Sequence, residues 1–584
     1  MWPSGSLRFE ILSRAMIKTA ARLCTLGILF SSFALYAADS DVRLNSLGFL
    51  PDKDKRATIN GECTTFMVCR VPAGTVAFSG TVTGPFADSQ TGENQLRIAD
   101  FSRLTETGTF YLDVPSVGKS SNFVIRPDAY NSAFIPVFKA MYLWRCGTGV
   151  SATYGGNTFA HAACHMQDAW LDQVGGGHNQ IKATGGWHDA GDYNKYTVNA
   201  GITVGMMFMA WQQFQENIKS ITYGLPKTAP GYPEFLEELK WETDWLLSMQ
   251  SPDGQVYDKV SEISFSAFVL PESNTVERYF APAGTTETAA FAAMMAMAAR
   301  NFRPYNAAYA ATCLKAAKAA YDYLASHDAN KTADLTAFKT GNYARSNANA
   351  GRLWAAAEMW ETTGDPSCLA DFETRAGVYS PDYTDIDFDW ANVKNLGMFT
   401  YVTSGRTGKN AALLDAIRKN IVAGANNIVK TRNANPYGRP LGSRYYWGCN
   451  GSVARQAMLL QIADRISANA DYLNTALDAI GYLFGRNMHN RSYVTGVGIN
   501  PPMKPHDRRS GADGIADPWP GYLVGGSPGM GSDPYLKAHT AAGLPAATYW
   551  ADEQESYSSN EIAINWQGAL IYAMAGFLGR APAR

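Results

Sequence analysis

The feature that most constrains this 584-residue chain is a change in its hydrophobic period near Pro127. Before that point, from about Asp41 to Arg126, short segments alternate apolar and polar residues between Gly, Pro and Asp. This pattern predicts a small antiparallel β-sandwich. After Pro127 the apolar residues recur about every 3.6 positions over long segments, which predicts helices and little strand.

About a dozen helical segments follow one another in the second part of the chain. They are predicted at residues 129–146, 197–216, 234–250, 286–300, 307–326, 348–363, 367–376, 392–404, 409–430, 448–466, 471–484 and 561–578. Several are apolar nearly all round, as expected for helices packed on both sides. Paired helices closed into a toroid fit this pattern, and a large irregular helical bundle is the alternative. Residues 487–559 contain no long periodic segment, and loops of that length are usually functional or disordered.

The first 38 residues have the layout of a secretory signal peptide. Lys18 and Arg22 precede the apolar stretch 23–36, and the small residues Ala37 and Ala38 follow it. Met16 would itself begin a well-proportioned signal and is an alternative start. No later segment has about 18 uninterrupted apolar residues. We therefore expect a secreted bacterial protein that has no membrane span once the signal is removed.

Charge and cysteine content narrow the functional classes. The formal net charge is -2 and like charges do not cluster in long runs, so nucleic-acid binding is not expected and the partner should be uncharged. Once the signal containing Cys24 is removed, the remaining seven cysteines form an odd number spread over a long chain. This argues against a disulfide scaffold. Neither a dockerin-like repeat nor an additional binding module is apparent.

The segment GGWHDAGDYNKY, residues 185–196, places two carboxylates three residues apart among glycines and aromatics. Hydrolysis of a glycosidic bond requires a carboxylate as base for water, a carboxylic acid for the departing oxygen, and aromatic surfaces for the sugar rings. The segment supplies part of that set, namely the carboxylates Asp189 and Asp192 and the aromatic rings of Trp187 and Tyr193. An Asx-turn or a helix N-cap made by Asp192 explains the same residues equally well.

Together with five other motifs, this segment resembles glycoside hydrolase family 9, in the subgroup that carries an N-terminal immunoglobulin-like domain. The other motifs are Arg145-Cys146-Gly147, HAACHMQD at 161–168, Pro505-His506-Asp507-Arg508, PGYLVGGSP at 520–528 and NEIAIN at 560–565. The resemblance covers nearly the whole mature chain. It implies a mainly α protein, with an immunoglobulin-like β-sandwich at residues 39–127 and an (α/α)6-barrel catalytic domain at residues 128–584.

The same resemblance implies an inverting hydrolase that acts on β-1,4-glucans such as cellulose. Asp192 is then the base that deprotonates the attacking water, Asp189 helps to hold that water, and Glu561 is the acid. Without the motif, Glu561 would fit better as a first-turn residue favoured by the helix dipole. The resemblance also places His506 and Arg508 in the substrate cleft, where they can donate hydrogen bonds to sugar hydroxyls.

Aromatic side chains near the acid are further candidates for substrate contacts. Tyr557 precedes Glu561 by four residues. Four other aromatic residues could stack on glucose rings, namely Trp354, Tyr446, Trp447 and Trp519. A Trp within a helical segment, however, more often belongs to the core. Two positions depart from the family pattern, because Asp507 and Asp258 stand where relatives often have His. Asp507 raises the question of an altered sugar or chain-end preference.

Two metal sites are expected, and no organic cofactor. Cys146, Cys164, His165 and His188 offer two thiolates and two imidazoles, the ligand chemistry of a closed structural zinc site. Two buried free cysteines and two unrelated histidines are the alternative, because the spacing is not that of a zinc finger. The resemblance implies zinc at these four positions.

The second expected metal is calcium, in the loop of residues 510–515. Ser510 and Asp513, with Asp552, offer the hard oxygen ligands that calcium prefers. The resemblance allows a calcium ion here without defining its ligands.

An endo-acting β-1,4-glucanase is the first functional hypothesis. An exo-acting relative that releases cellobiose, glucose or glucosamine from chain ends is the second. A carbohydrate-binding protein without activity is the third, and the intact Asp189, Asp192 and Glu561 argue against it. A zinc hydrolase is the fourth, but a metal with four protein ligands leaves no position for water.

Overall fold

The computed structural model describes residues 40–227 and 231–579. The predicted signal peptide, residues 1–38 with the alternative start at Met16, lies outside the described residues. Within those ranges, no helix combines the length and the apolar character that crossing a lipid bilayer would require.

Strands build an N-terminal β-sandwich and a few short pairings beside the helices. They are β1 Val42–Arg43, β2 Arg56–Asn60, β3 Thr65–Arg70, β4 Val76–Asp88, β5 Glu93–Asp100, β6 Gly108–Val114, β7 Gly118–Lys119, β8 Phe123–Ile125, β9 Val150–Tyr154, β10 Asn157–His161, β11 Lys195–Tyr196, β12 Lys259–Ser261 and β13 Tyr279–Phe280. The sandwich strands are hydrogen-bonded in the order β1-β2-β5-β4-β3-β6-β7, and β8 also pairs with β6. Strand β4 pairs with both β3 and β5, so it belongs to both layers.

The predicted alternation of strand residues is visible in β6. Phe110, Leu112 and Val114 are buried there, whereas the residues between them are only partly buried. With Val68 of β3 and Phe123 of β8, they form the apolar core of the sandwich. The period of two therefore separates a core face from a solvent face, as in other antiparallel sandwiches.

Each of the twelve segments with a helical period contains a helix. The helices are α1 Asn131–Leu143, α2 Thr197–Lys219, α3 Glu234–Ser248, α4 Thr285–Phe302, α5 Ala307–Ser326, α6 Ala348–Thr363, α7 Pro366–Gly377, α8 Lys394–Thr403, α9 Ala411–Ala434, α10 Cys449–Ile466, α11 Ala470–Leu483, α12 Pro534–His539, α13 Tyr557–Asn560 and α14 Ile564–Ala575. The last predicted segment begins three residues early, because Glu561 precedes α14 instead of lying in its first turn.

Six of these helices close into a ring. Helix α2 packs against α4, α4 against α6, α6 against α8, α8 against α10, α10 against α14, and α14 against α2. The outer helices α1, α3, α5, α7, α9 and α11 pack on this ring. Inner helices are buried on nearly all sides; in α4 every residue except Arg300 is buried. The predicted (α/α)6 barrel, preceded by a β-sandwich, is confirmed.

The inner helices share one direction, and the candidate catalytic residues of the barrel lie at their N-terminal ends. Asp192 lies just before α2, Tyr343 before α6, Trp390 before α8, Trp447 before α10 and Glu561 before α14. A polar cavity of about 710 Å³ lies among the C-terminal ends of the same helices. The barrel therefore has two different mouths.

Candidate active site

A cavity of about 310 Å³ lies at the N-terminal end of the inner helices. The carboxylates of Asp189, Asp192 and Glu561 line it together. The larger cavity at the opposite end is lined by one carboxylate, Glu361, and offers no acid pair. Acid-base chemistry on a bound molecule is therefore possible at the smaller cavity.

Hydrogen bonds hold the two aspartates of residues 185–196 in fixed orientations. Asn199 donates to Oδ1 of Asp189 at 2.6 Å, and Tyr343 donates to its Oδ2 at 3.0 Å. Asn194 donates to Oδ2 of Asp192 at 2.5 Å, and Tyr196 donates to the same oxygen at 3.4 Å. Each carboxylate thus accepts two hydrogen bonds that favour its ionised form.

Glu561 sits between two backbone segments that approach it from different parts of the chain. Its backbone forms a parallel bridge with His506, and its carbonyl accepts a hydrogen bond from Gly525 at 2.9 Å. The backbone of Ile564, three residues later, donates to the carbonyl of Asp189 at 2.9 Å. These backbone bonds connect the segment that carries Glu561 to the segment that carries the aspartates.

The three carboxyl groups shift one another's titration. Burial, and then the charges of Asp192 and Asp189, raise the pKa of Glu561 well above its usual value. Burial and the charge of Asp192 raise the pKa of Asp189 to about 8. Burial also raises the pKa of Asp192, but Arg508 and the hydrogen bond from Asn194 oppose this shift. Burial and the two aspartate charges therefore favour the protonated form of Glu561, and the charge of Arg508 favours the ionised form of Asp192.

Comparison with known proteins identifies the family of this chain. The profile described as Glycosyl hydrolase family 9 matches residues 130–574. The chain belongs to glycoside hydrolase family 9. A second profile, Cellulase N-terminal ig-like domain, matches residues 37–119 of the family 9 chain.

Several relatives of this family 9 chain have been characterised or solved. Endoglucanase D of Acetivibrio thermocellus is 53% identical over 545 residues, which cover 93% of this chain and 84% of the relative. The crystal structure of a metagenome-derived family 9 endoglucanase has a TM-score of 0.85 and 31% identity, covering 92% of this chain and 99% of that one. A zinc-binding triple mutant of family 9 endoglucanase J30 has the same TM-score and identity, covering 91% and 100%.

His506 and Arg508 lie beside the cavity of this family 9 chain, and neither of them lines it. The Nδ1 atom of His506 lies 2.6 Å from the carbonyl of Gln554. Arg508 donates to the carbonyls of Gly191 and Ser266 at 2.9 and 3.0 Å, and it is buried. The structure thus uses Arg508 to hold the aspartate segment, whereas the sequence predicted a direct contact with sugar.

Trp187 and Tyr193 are not brought to the cavity. Trp187 is 1% exposed, and its indole nitrogen donates to Glu238 at 2.8 Å. Tyr193 is buried, and its hydroxyl donates to the carbonyl of Val269 at 2.5 Å. Both rings therefore pack in the core beneath the aspartate segment, and neither can stack on a sugar in this arrangement.

The aromatic residues at the cavity are largely different ones. Trp447 lines it and is 48% exposed, and its ring packs 5.3 Å from that of Tyr557. Phe265, Tyr343 and Trp390 also line the cavity but were not predicted. They come from irregular segments whose position depends on tertiary packing. No periodicity signal could have found them, whereas the exposed ring of Phe265, at 51%, is evident in the structure.

Of the other aromatic candidates, Trp354 and Trp519 are fully buried. Tyr446 donates a hydrogen bond to Asp387 at 2.5 Å. None of these three lines the cavity. These side chains contribute to core packing or to local hydrogen bonds, as is common for aromatic residues within or beside helices.

Cys146, Cys164, His165 and His188 form a compact cluster beside the aspartate segment. One potential ligand atom from each lies within 4.8 Å of all the others. Cys146 Sγ is 3.7 Å from His165 Nδ1, and Cys164 Sγ is 3.8 Å from His188 Nε2. Tetrahedral bonds of about 2.3 Å to sulfur and 2.0 Å to nitrogen would separate such atoms by about 3.6 Å. The four residues fit a closed tetrahedral metal site.

Two members of the cluster have protonation states that suit a metal, whereas the hydrogen bond with Cys146 and burial raise the pKa of the Cys164 thiol. Burial opposes ionisation of Cys146, but the hydrogen bond from Cys164 and the charges of Lys195 and Arg278 lower the pKa of its thiol well below the usual value. Burial lowers the pKa of His188 well below its usual value, so the ring is neutral. A thiolate and a neutral imidazole are the forms that bind metal ions.

The oxygens proposed for calcium have other partners. Ser510 donates to Asp507 at 2.8 Å. Asp513 accepts from the backbone of Ile515 and the indole of Trp519, at 2.9 and 2.8 Å. Asp552 accepts from two backbone amides, those of residues 503 and 504. These hydrogen bonds give each side chain a role in shaping its loop, and calcium binding by the three stays a prediction.

Proposed function

We propose that this family 9 enzyme is an inverting endo-β-1,4-glucanase in which Asp192 is the base and Glu561 the acid. One observation carries the proposal: a single cavity holds a carboxylate supported by a nearby cation and a carboxyl group whose surroundings retain its proton. Inverting glycosidases require this pair. Asp189, fixed by Asn199 and Tyr343, orients the water.

The reaction follows from these protonation states. A water molecule gives a proton to Asp192 as its oxygen attacks the anomeric carbon, and Glu561 gives its proton to the departing glycosidic oxygen. Because the water attacks opposite the leaving group, a β bond yields an α product. Asp192 then loses its proton to solvent and Glu561 regains one, which restores the starting state.

Internal cleavage is supported by relatives and by the form of the cavity. Endoglucanase D, at 53% identity, carries the activity in its name. At the cavity, the half-exposed rings of Trp447 and Phe265 provide surfaces on which successive sugars of a long chain could stack. A β-glucan polysaccharide of the cellulose type is the proposed substrate, and export through the signal at residues 1–38 would bring the enzyme to it.

A structural zinc ion is the second part of the proposal. Cys146, Cys164, His165 and His188 would hold it, and its ligand set has no open position for water. A metal there would fix the cluster against Asp189, which follows His188 directly. The zinc would thus supply rigidity, while the proton transfers belong to the carboxyl groups.

The test measures viscosity and reducing ends together on carboxymethyl cellulose. The mature protein should lower viscosity steeply for each new reducing end, because internal cuts shorten long chains fastest. Glu561→Gln should lose nearly all activity, since an amide cannot donate the proton. Glu555→Gln is a matched control, because Glu555 is exposed and lies six residues from the acid.

Other outcomes separate the alternatives. New reducing ends with little change in viscosity would support an exo-acting enzyme. A Glu561→Gln variant with wild-type turnover would exclude Glu561 as the acid. If the wild-type protein binds cellulose but releases no sugar, the carbohydrate-binding hypothesis replaces the enzyme. The α configuration of the first product, followed by NMR, tests inversion separately.

A further inference from the structure

The segment of residues 505–510 sends its side chains in two directions. His506 and Arg508 contact the segments beside the cavity, through the carbonyls of Gln554 and Gly191. Asp507 turns the other way and is 1% exposed, as is Arg509. The position at which the sequence departs from the family pattern therefore does not face the substrate.

Asp507 and Arg509 form an ion pair with further hydrogen bonds on both sides. Arg509 Nε donates to Asp507 Oδ1 at 3.0 Å. The second oxygen of Asp507 accepts from the Ser510 hydroxyl at 2.8 Å. Arg509 Nη1 donates to the Leu143 carbonyl at 2.7 Å and to the Tyr522 hydroxyl at 2.9 Å. The pair thus connects the segment to the end of α1 and to the irregular segment between α11 and α12.

Aromatic rings surround the guanidinium of Arg509. Its central carbon lies 5.0 Å from the ring centre of Trp519, 4.9 Å from that of Tyr522 and 5.7 Å from that of Trp144. Such an environment excludes water, so the carboxylate of Asp507 provides the compensating charge. Removing the partner of a buried cation strongly destabilises the folded protein.

The opposite side of the segment has almost no freedom to move. The backbone of His506 donates to the Asn560 carbonyl at 2.9 Å, and that of Arg508 donates to the Gly191 carbonyl at 3.1 Å. A Cβ atom on Gly191 would overlap the carbonyl oxygen of His506. The two backbones are therefore in direct contact, and a displacement of the segment would move Arg508 relative to the aspartates.

We propose that Asp507 is a positioning residue, which acts through its buried ion pair with Arg509 to keep Arg508 beside Asp192 and Glu561. The inference rests on the catalytic roles proposed above. It replaces the idea that Asp507 selects the sugar or the chain end, because the carboxylate is enclosed by protein groups. Asp507 touches no reacting atom.

The pH profile gives this role a signature that a merely stabilising residue would not have. The charge of Arg508 lowers the pKa of Glu561, opposing burial and the charges of Asp192 and Asp189. Tyr343 and Tyr557 also face the acid, and Trp447 bonds to it. If Arg508 moves away, the pKa of Glu561 rises further and the alkaline limb of the activity profile shifts to higher pH.

The experiment compares kcat, KM and thermal stability across pH on a soluble cello-oligosaccharide. Asp507→Asn removes the charge while keeping the shape of the side chain. We expect kcat to fall by between about 10- and 100-fold, as for other small displacements of catalytic groups, with KM little changed and the alkaline limb displaced upward. Asp507→Glu should recover part of both effects. Asp517→Asn is the control, because this exposed side chain bonds to Asn157 instead.

Each result decides between defined alternatives. A wild-type kcat and pH profile in Asp507→Asn, whatever its melting temperature, would overturn the positioning role, and so would a change confined to KM. If Asp507→Asn does not fold, Arg509→Lys provides the same test, since it keeps the charge but loses bonds to Leu143 and Tyr522. An inactive wild-type protein, or an active Glu561→Gln, would instead overturn the proposed function.

Discussion

Replacing Trp187 by Phe tests whether this residue supports the fold or binds sugar. The indole nitrogen donates to a buried carboxylate, Glu238, which also pairs with Arg145 at 2.9 Å. Phenylalanine would lose that hydrogen bond, worth ~2 kcal/mol. It would also leave roughly 40 Å³ unfilled, which adds ~1 kcal/mol. We therefore expect the free energy of unfolding to fall by about 3 kcal/mol.

This decrease in the free energy of unfolding corresponds to a measurable decrease in Tm. At an unfolding entropy of ~2 cal/mol/K per residue, a cooperative unit of roughly 540 residues would lose about 3 °C in Tm. Calorimetry gives the Tm, and steady-state kinetics on carboxymethyl cellulose give KM. Trp187→Phe should lower Tm with KM unchanged, whereas Trp447→Phe, at an exposed ring in the cavity, should raise KM with Tm unchanged. A raised KM and unchanged Tm for Trp187→Phe would refute the structural assignment.

Two further predictions concern stability. Cys164→Ser should lower Tm by several degrees, because it removes a ligand of the metal that holds the cluster. A strong chelator removes the same metal, so it should lower the Tm of the wild-type protein to nearly that of the variant. A chelator without effect on wild-type Tm would contradict the zinc proposal. Glu287 is buried beside Asp258, and burial and this neighbour raise its pKa well above the usual value. The folded protein therefore holds a proton that the unfolded chain releases, and stability falls as pH rises from the usual glutamate pKa toward the raised one. Glu287→Gln should flatten the decline of Tm as pH rises above the usual glutamate pKa, with Glu277→Gln as an exposed control. An unchanged slope would show that the proton is not held there.

The barrel was predictable because the pattern of apolar residues along a helix depends on which of its faces are buried. Inner helices such as α4 are apolar nearly all round, and outer helices such as α11 show one apolar face. Closure of the ring could be inferred only from the number of helices and the family motifs. The strands were harder to find: β2 has three successive buried residues, and register shifts interrupt the pairing of β5 with β4, so neither strand alternates regularly.

The site was predictable where a motif carried the chemistry and not where packing decided it. Asp189, Asp192 and Glu561 share one cavity, although 369 positions separate the last two. Trp187, in contrast, lies within the motif in sequence but faces the core. The residue types around a position do not show whether its side chain faces the cavity or the core, because an aromatic residue among glycines is compatible with either orientation. Asp513 illustrates the same limit, since an oxygen that caps a turn and one that binds calcium have the same sequence pattern.

The shared direction of the inner helices divides the connections of the barrel into two classes. Segments that lead into an inner helix, such as residues 436–448 before α10, build the walls of the cleft. Segments that leave one, such as the turn at Gly364 between α6 and α7, lie at the far mouth. An insertion in the first class would change which polymer fits, whereas one in the second would leave recognition untouched. Substrate range and robustness of the barrel can therefore be varied separately, by evolution or by design.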